Sequence, residues 1–145
     1  MNNIVEIAKT YLNTPYHSGA KIKGVGIDCG QLLIAVYEEA GLLKDGECDP
    51  GQYSNEWHLH RSEEKYLGWV EKFCDVVTGD PQPGDIATFK FGRCVSHGGI
   101  VVEWSTIIHS YVGMGVILSD IREALLQDNK GKSRLYAVYR HRRVV

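Results

Sequence analysis

The chain has 145 residues, of which 43% are hydrophobic and 23% charged, with a formal net charge of −2. That is enough polypeptide for one domain, 1–145, to bury a core without metal or disulfide staples. So small a net charge gives no electrostatic argument for a nucleic-acid partner. The amino-terminal MNNIVEIAKTYL mixes acidic and basic residues into its apolar pattern. It reads as neither a signal peptide nor a membrane span, so the expectation is synthesis as a soluble cytoplasmic chain with no membrane partner. Cys29, Cys48, Cys74 and Cys94 show no paired short spacing, which argues against a zinc ribbon or a disulfide framework and for reduced thiols. No cofactor motif is visible. The basic run Arg140 to Arg143 (RHRR) is expected to be solvated surface.

Residues 3 to about 12 read as a first helix capped by Asn2 or Asn3, with Ile4, Val5, Ala8, Tyr11 and Leu12 on one face, ended by Thr14-Pro15. A glycine-rich loop, PYHSGAKIKGVGI, then carries Tyr16 and His17. The stretch Gly24 to Gly41 (GVGIDCGQLLIAVYEEAG) holds the second helix. Asp28 is a good N-cap, Leu32, Leu33, Val36 and Ala40 recur at helical spacing, and Gly41 is placed to close the element. Cys29 therefore falls in the first turn, where unpaired N–H groups and the positive end of the helix dipole favour a thiolate. Small residues at Gly24, Gly26 and Gly30 leave room for a substrate backbone near the sulfur. The alternative reading of Cys29 is a small buried hydrophobe.

From Lys44 to Asn55 the sequence is turn chemistry. Ser62 is placed to cap a third helix with Glu63 and Glu64 in its first turn and Tyr66, Leu67, Val70, Phe73 and Cys74 facing inward. His58 and His60 have the H-x-H spacing of a strand metal site, but no nearby carboxylate or cysteine completes a ligand set, and no metal is expected. Asp80 to Asp85 (DPQPGD) is a break, after which the period becomes extended. Strands are predicted at Asp85 to Phe91, His97 to Glu103, Ile107 to Val112 and Gly115 to Leu118. A short helix near Asp120 to Leu126 and a last strand, Arg134 to Arg140, complete the chain. Helices first and strands second imply an α+β fold, with the early helices packed on a twisted antiparallel sheet.

His97 and His109 are the candidate bases for Cys29, because they fall on neighbouring strands joined by a short turn near Trp104 to Thr106. An odd hairpin loop places them on one face, directly or diagonally opposed; an even loop without a bulge places them on opposite faces. On one face, His109 can orient the ring of His97 while His97 takes the proton from Cys29. Gly98 and Gly99 then allow close approach of a helix end or a substrate. The alternative is a pair of histidines satisfied within the core or at the surface.

Taken together, NTPYHSGA at 13 to 20, GVGIDCGQLL at 24 to 33, PQPGDIATF at 81 to 89, SHGGIVV at 96 to 102 and IIHS at 107 to 110 resemble, in order, the NlpC-type cysteine peptidases of bacterial cell walls. The resemblance implies a permuted papain-like fold with Cys29 as nucleophile, His97 as general base and His109 as the third, orienting residue. It makes Tyr16 the matching candidate for positioning or oxyanion support. Asp28 then has a structural role, and the main chain at Gly30 and Gly98 lies beside the substrate. The family's D-C-S-G is here Asp28-Cys29-Gly30-Gln31, so subsite contacts made by the serine are absent. The reaction implied is hydrolysis of an amide in the stem peptide of peptidoglycan, without a cofactor. The WHLHR segment and compact size are similar to the branch associated with phage and prophage tails. That implies other tail proteins as partners and a virion location. Two rival expectations are a same-fold amidase or acyltransferase acting on another substrate, and a catalytically degenerate tail-assembly part.

Overall fold

The structure is a computed structural model and describes residues 3–48 and 68–144. The expectations for His58, His60, Ser62, Glu63, Glu64, Tyr66 and Leu67 lie outside the described residues. Helix α1, Ile4–Lys9, is shorter than the periodicity predicts. Asn3 occupies the N-cap position without a side-chain hydrogen bond, and from Thr10 onward the main chain tightens into i to i−3 bonds, such as Tyr11 N–H to Ala8 O at 3.0 Å.

The segment read as loop contains a small antiparallel hairpin, β1 (Lys21–Ile22) and β2 (Gly26–Ile27), too short to show a period. It leads into α2, Cys29–Glu39. The apolar pattern predicts one buried face, but Ile34, Ala35 and Tyr37 are buried as well as Leu32, Leu33 and Val36. A helix apolar on most sides is a central helix. Gly41, at φ +79°, ends it with a Schellman pair: Gly41 N–H donates to Glu38 O and Leu42 N–H to Tyr37 O. The Tyr37 hydroxyl donates to Gly84 O at 2.7 Å, fixing the helix to the turn that opens the sheet.

The main sheet is antiparallel throughout, with strands β3 (Cys74–Val76), β4 (Ile86–Phe91), β5 (Cys94–Glu103), β6 (Thr106–Tyr111), β7 (Gly115–Asp120) and β8 (Leu135–His141) in the order β3-β8-β4-β5-β6-β7. Cys74 does not end a helix, as its spacing suggests; helical residues stop at 73 and Cys74 begins β3 opposite His141. β5 starts three residues before the predicted His97, because Gly92 at φ +70° permits a tight β4–β5 turn that pairs Phe91 with Cys94. β7 runs on to Asp120, leaving only a 3₁₀ turn, Ala124–Leu126, where a short helix is predicted.

Alternation along these strands produces two packed faces. Ile86, Val95, Ile100, Ile108, Val116 and Tyr139 meet α1 and α2; Ala87, Phe89, Val101, Ile107 and Val138 meet Leu126 on the other side. Each such aliphatic side chain contributes about 1.5–3 kcal/mol by leaving water. The basic carboxyl-terminal run is solvated only in part: Arg142 and Arg143 are exposed, Arg140 is half-buried and His141 is buried. Arg140 makes a two-pronged ion pair with buried Asp85 (2.8 and 2.9 Å), His141 is buried, Arg142 meets Asp75 and the carbonyls of Glu71 and Lys72, and Arg143 meets Leu42 O. Planar guanidinium forks facing carboxylate and carbonyl oxygens fasten β8 to its neighbours.

The loop after α1 is stitched to β7: Asn13 N–H donates to Val116 O and Val116 N–H to Thr14 O. Gly115 sits at φ +80°, and a Cβ there would lie 2.5 Å from Thr14 O. Gly113 has a similar φ, +79°, but open space around it. Gly115→Ala is expected to destabilise the fold by ~2–4 kcal/mol, combining left-handed strain with a backbone clash, and Gly113→Ala by only ~1–2 kcal/mol. Urea midpoints of the two variants check this; equal losses would contradict it.

Candidate active site

Cys29 enters the structure where Asp28 starts α2. The Asp28 carboxylate is wholly buried; Oδ1 accepts from Gln31 N–H at 2.8 Å and Oδ2 from Gly19 N–H at 2.7 Å. One side chain thus caps the helix and pins the preceding loop. The Cys29 side chain, 6% exposed, lies against β5: its Sγ donates to Ser96 O at 3.5 Å, and the N–H groups of Gly30, Cys29 and Gly98 face the sulfur. The helix-start argument for a thiolate is overturned by burial. Desolvation first, and the Asp28 charge second, push the Cys29 thiol up to about 12, outweighing the three N–H groups that favour the anion. The resting group is a thiol.

The imidazole pair depends on a bulge. The β5–β6 loop contains Trp104 and Ser105, an even count, which alone would send His97 and His109 to opposite faces. Between Glu103↔Thr106 and Val101↔Ile107 the register slips by one, and the slip restores the shared face. His97 and His109 are consequently one diagonal step apart, with Nε2 of His97 2.7 Å from Nδ1 of His109. Gly99 makes this pairing possible, since a Cβ there would come within 2.9 Å of Ile108 O and 3.0 Å of the His109 Cβ. Phe89, Phe91 and Tyr111 stand around the His97 ring at 5.7–5.9 Å between centroids. Burial, and then the neighbouring His109, hold His97 well below the usual histidine range; burial alone lowers His109 to about 4. Both rings are neutral at pH 7.

The sulfur and the His97 ring do not hydrogen-bond to each other. Instead Cys29 contacts the main chain on either side of His97, at Ser96 and Gly98, while Nε2 of His97 is committed to His109. Tyr16 is half-buried and forms a parallel bridge with Ile27, two residues before Cys29, so it reaches the helix start through the backbone. Gly30 is buried in the first turn of α2. Among the described residues no group of three His, Cys, Asp or Glu side chains is arranged to hold a metal.

Three serines escape the sequence reading. Ser96 supplies the carbonyl at Cys29. Ser110 donates to Ile27 O at 2.8 Å, tying β6 to the entry of α2, and Ser119 Oγ lies 2.8 Å from Nε2 of His109. Ser119 had a signal: a tight turn at Gly113 pairs His109 with Ile117 and Ile107 with Ser119, so Ser119 shares the face of His109.

No family model matches the sequence, and no curated protein matches it. Solved structures do. The chain superposes on an NlpC/P60 family protein from Bacillus cereus ATCC 10987 with a TM-score of 0.65 at 17% identity, over 96% of this chain and 39% of that one. It matches NlpC1 from Trichomonas vaginalis with a TM-score of 0.66 at 19% identity, over 97% of this chain and 44% of that one. The chain thus spans about two fifths of the length of those proteins. Against the NlpC/p60 domain of the peptidoglycan hydrolase SagA the TM-score is 0.61 at 19% identity, covering 94% of this chain and 95% of that domain. The fold, helices on an antiparallel sheet, is similar to that of NlpC/P60 papain-like domains.

Proposed function

We propose that the protein is a cysteine peptidase that hydrolyses an amide in peptidoglycan stem peptides. The observation that carries this reading is the 2.7 Å His97–His109 bond beside a cysteine held at a helix start by the backbone of the same strand. A protein of similar fold supports the choice of peptidoglycan as substrate: SagA is a peptidoglycan hydrolase.

In this mechanism Nδ1 of His97 is the nitrogen left to act, because Nε2 is engaged by His109. Cys29 turns from the Ser96 carbonyl toward that nitrogen, gives up its proton to it, and attacks the substrate carbonyl carbon. The N–H groups at the start of α2, which face the sulfur at rest, stabilise the tetrahedral oxyanion. His97 then protonates the leaving amine as the C–N bond breaks, and water hydrolyses the thioester to release acid and regenerate the thiol. Replacing the family's serine by Gly30 leaves these donors in place, since they belong to the main chain. Starting from a neutral thiol and imidazole, the ion pair forms only when substrate is bound.

The resemblance of the WHLHR segment supports a narrower proposal, that the hydrolase is carried in a phage tail with other tail proteins as partners. Proteomic analysis of purified particles tests the location: peptides of this chain are expected there, and their absence would remove the tail assignment while leaving the hydrolase reading intact.

Purified wild-type protein is expected to release stem-peptide fragments from peptidoglycan, read by mass, with Cys29→Ala inactive and His97→Ala slower by ~10²–10⁴-fold. Equal turnover by wild type and Cys29→Ala would exclude Cys29; no turnover by any of them would favour the tail-structure reading. Alkylation of Cys29 by iodoacetamide, followed at its own tryptic peptide, is expected to accelerate about tenfold per pH unit from 7 upward. The thiolate fraction rises that way at any pH below a pKa of about 12. A plateau below pH 8 would show a resting thiolate and contradict the neutral pair.

A further inference from the structure

We propose that Ser119 is a positioning residue: by accepting from Nε2–H of His109 it supports the proton order through His109 that keeps Nδ1 of His97 bare. Its kinetic part rests on the peptidase reading; its structural part does not. A neutral imidazole has one N–H and one bare nitrogen. The bond between Nε2 of His97 and Nδ1 of His109 uses one proton, and the bond between Nε2 of His109 and Ser119 Oγ uses another. Only two arrangements satisfy both bonds with neutral rings. In the first, Ser119 donates to His109, His109 donates to His97, and the proton of His97 is forced onto Nδ1. In the second, His97 donates from Nε2, His109 donates from Nε2 to the Ser119 oxygen, and Nδ1 of His97 is bare.

Only the second arrangement supplies a base. It is also the only one that accommodates the charged ring, because an imidazolium at His97 donates from both nitrogens and Nδ1 of His109 must then accept. The hydroxyl of Ser119 suits the end of the chain, since its oxygen accepts without adding a charge to a buried site. At 2% exposure, Ser119 leaves little access for water to replace it. Register does the placing: Ser119 lies opposite Ile107, and Ile117 opposite His109, so all four side chains share one face of the β6–β7 pair.

Removing the hydroxyl leaves the Nε2–H of His109 without an acceptor, which favours the other tautomer of His109 and reverses the bond to His97. The test uses the full chain labelled with ¹⁵N-histidine and long-range ¹H–¹⁵N correlation at pH 7. Wild type is expected to carry the His109 proton on Nε2, Ser119→Ala to move it to Nδ1, and Ser119→Thr to return it to Nε2. With peptidoglycan fragments as substrate, Ser119→Ala is expected to lose about tenfold or more in kcat with KM unchanged, and Ser119→Thr to recover it. A wild-type His109 proton on Nδ1, a measurement needing no variant, would overturn the proposal, as would an unmoved tautomer in Ser119→Ala. Expected tautomers in a wild type that cleaves nothing would uphold the proton order and sink the peptidase reading.

Discussion

The Asp28 carboxylate, wholly buried, holds Gly19 N–H with one oxygen and Gln31 N–H with the other. Those two bonds decide where α2 begins, how the preceding loop lies on it, and therefore where the Cys29 sulfur points. Ile27, one residue earlier, is gripped from three sides. Its carbonyl accepts from Ser110 and from His17 N–H, and its N–H donates to Pro15 O. The helix start is thus built into the sheet before any chemistry is considered. Loss of a cap usually costs about 1 kcal/mol, but here it would also release the loop at Gly19 that lies against the start of α2.

That construction has an electrostatic consequence. A helix start with free N–H groups stabilises an anion, and Cys29 has two such groups, its own and that of Gly30, facing its sulfur together with Gly98 N–H from β5. Yet the same packing that aims them removes the sulfur from water and sets a carboxylate next to it, and desolvation is the larger effect. The histidines obey the same balance in the opposite charge sense, with both rings held neutral. A site assembled from neutral partners stores little charge in its resting state. In the proposed mechanism the main-chain donors act where charge appears, on the oxyanion of the reacting carbonyl.

Overlap with NlpC/P60 domains extends over nearly the whole chain at 17–21% identity. Main-chain N–H groups, a glycine opposite an imidazole and a one-residue slip in a hairpin position the site. None of these demands a particular residue elsewhere. The outer sheet is secured differently, by the Arg140 fork of β8 on Asp85 and by Arg142, just beyond the strand, on the Glu71 carbonyl. In the terminal RHRR run, Arg142 and Arg143 are exposed as a solvated run would be, whereas His141 is buried and Arg140 is half-buried on Asp85.

Much of the architecture was legible in residue order. The helical spacing after Asp28, the DPQPGD break and the alternation beyond it determine an α+β chain with Cys29 at a helix start and His97 and His109 on adjacent strands, because each signal is local and repeats within a few residues. Tertiary structure alone decided three things. The β5–β6 bulge placed the two histidines on one face, although the loop count by itself argues otherwise. Burial made Cys29 a thiol, although helix position by itself argues for the anion. The hairpin turn at Gly113 puts Ser119 on the face of His109, but only the packed sheet brought its hydroxyl to 2.8 Å from Nε2 of that ring. Each is a property of what lies opposite or around a residue, and a chain read in order records only what lies beside it.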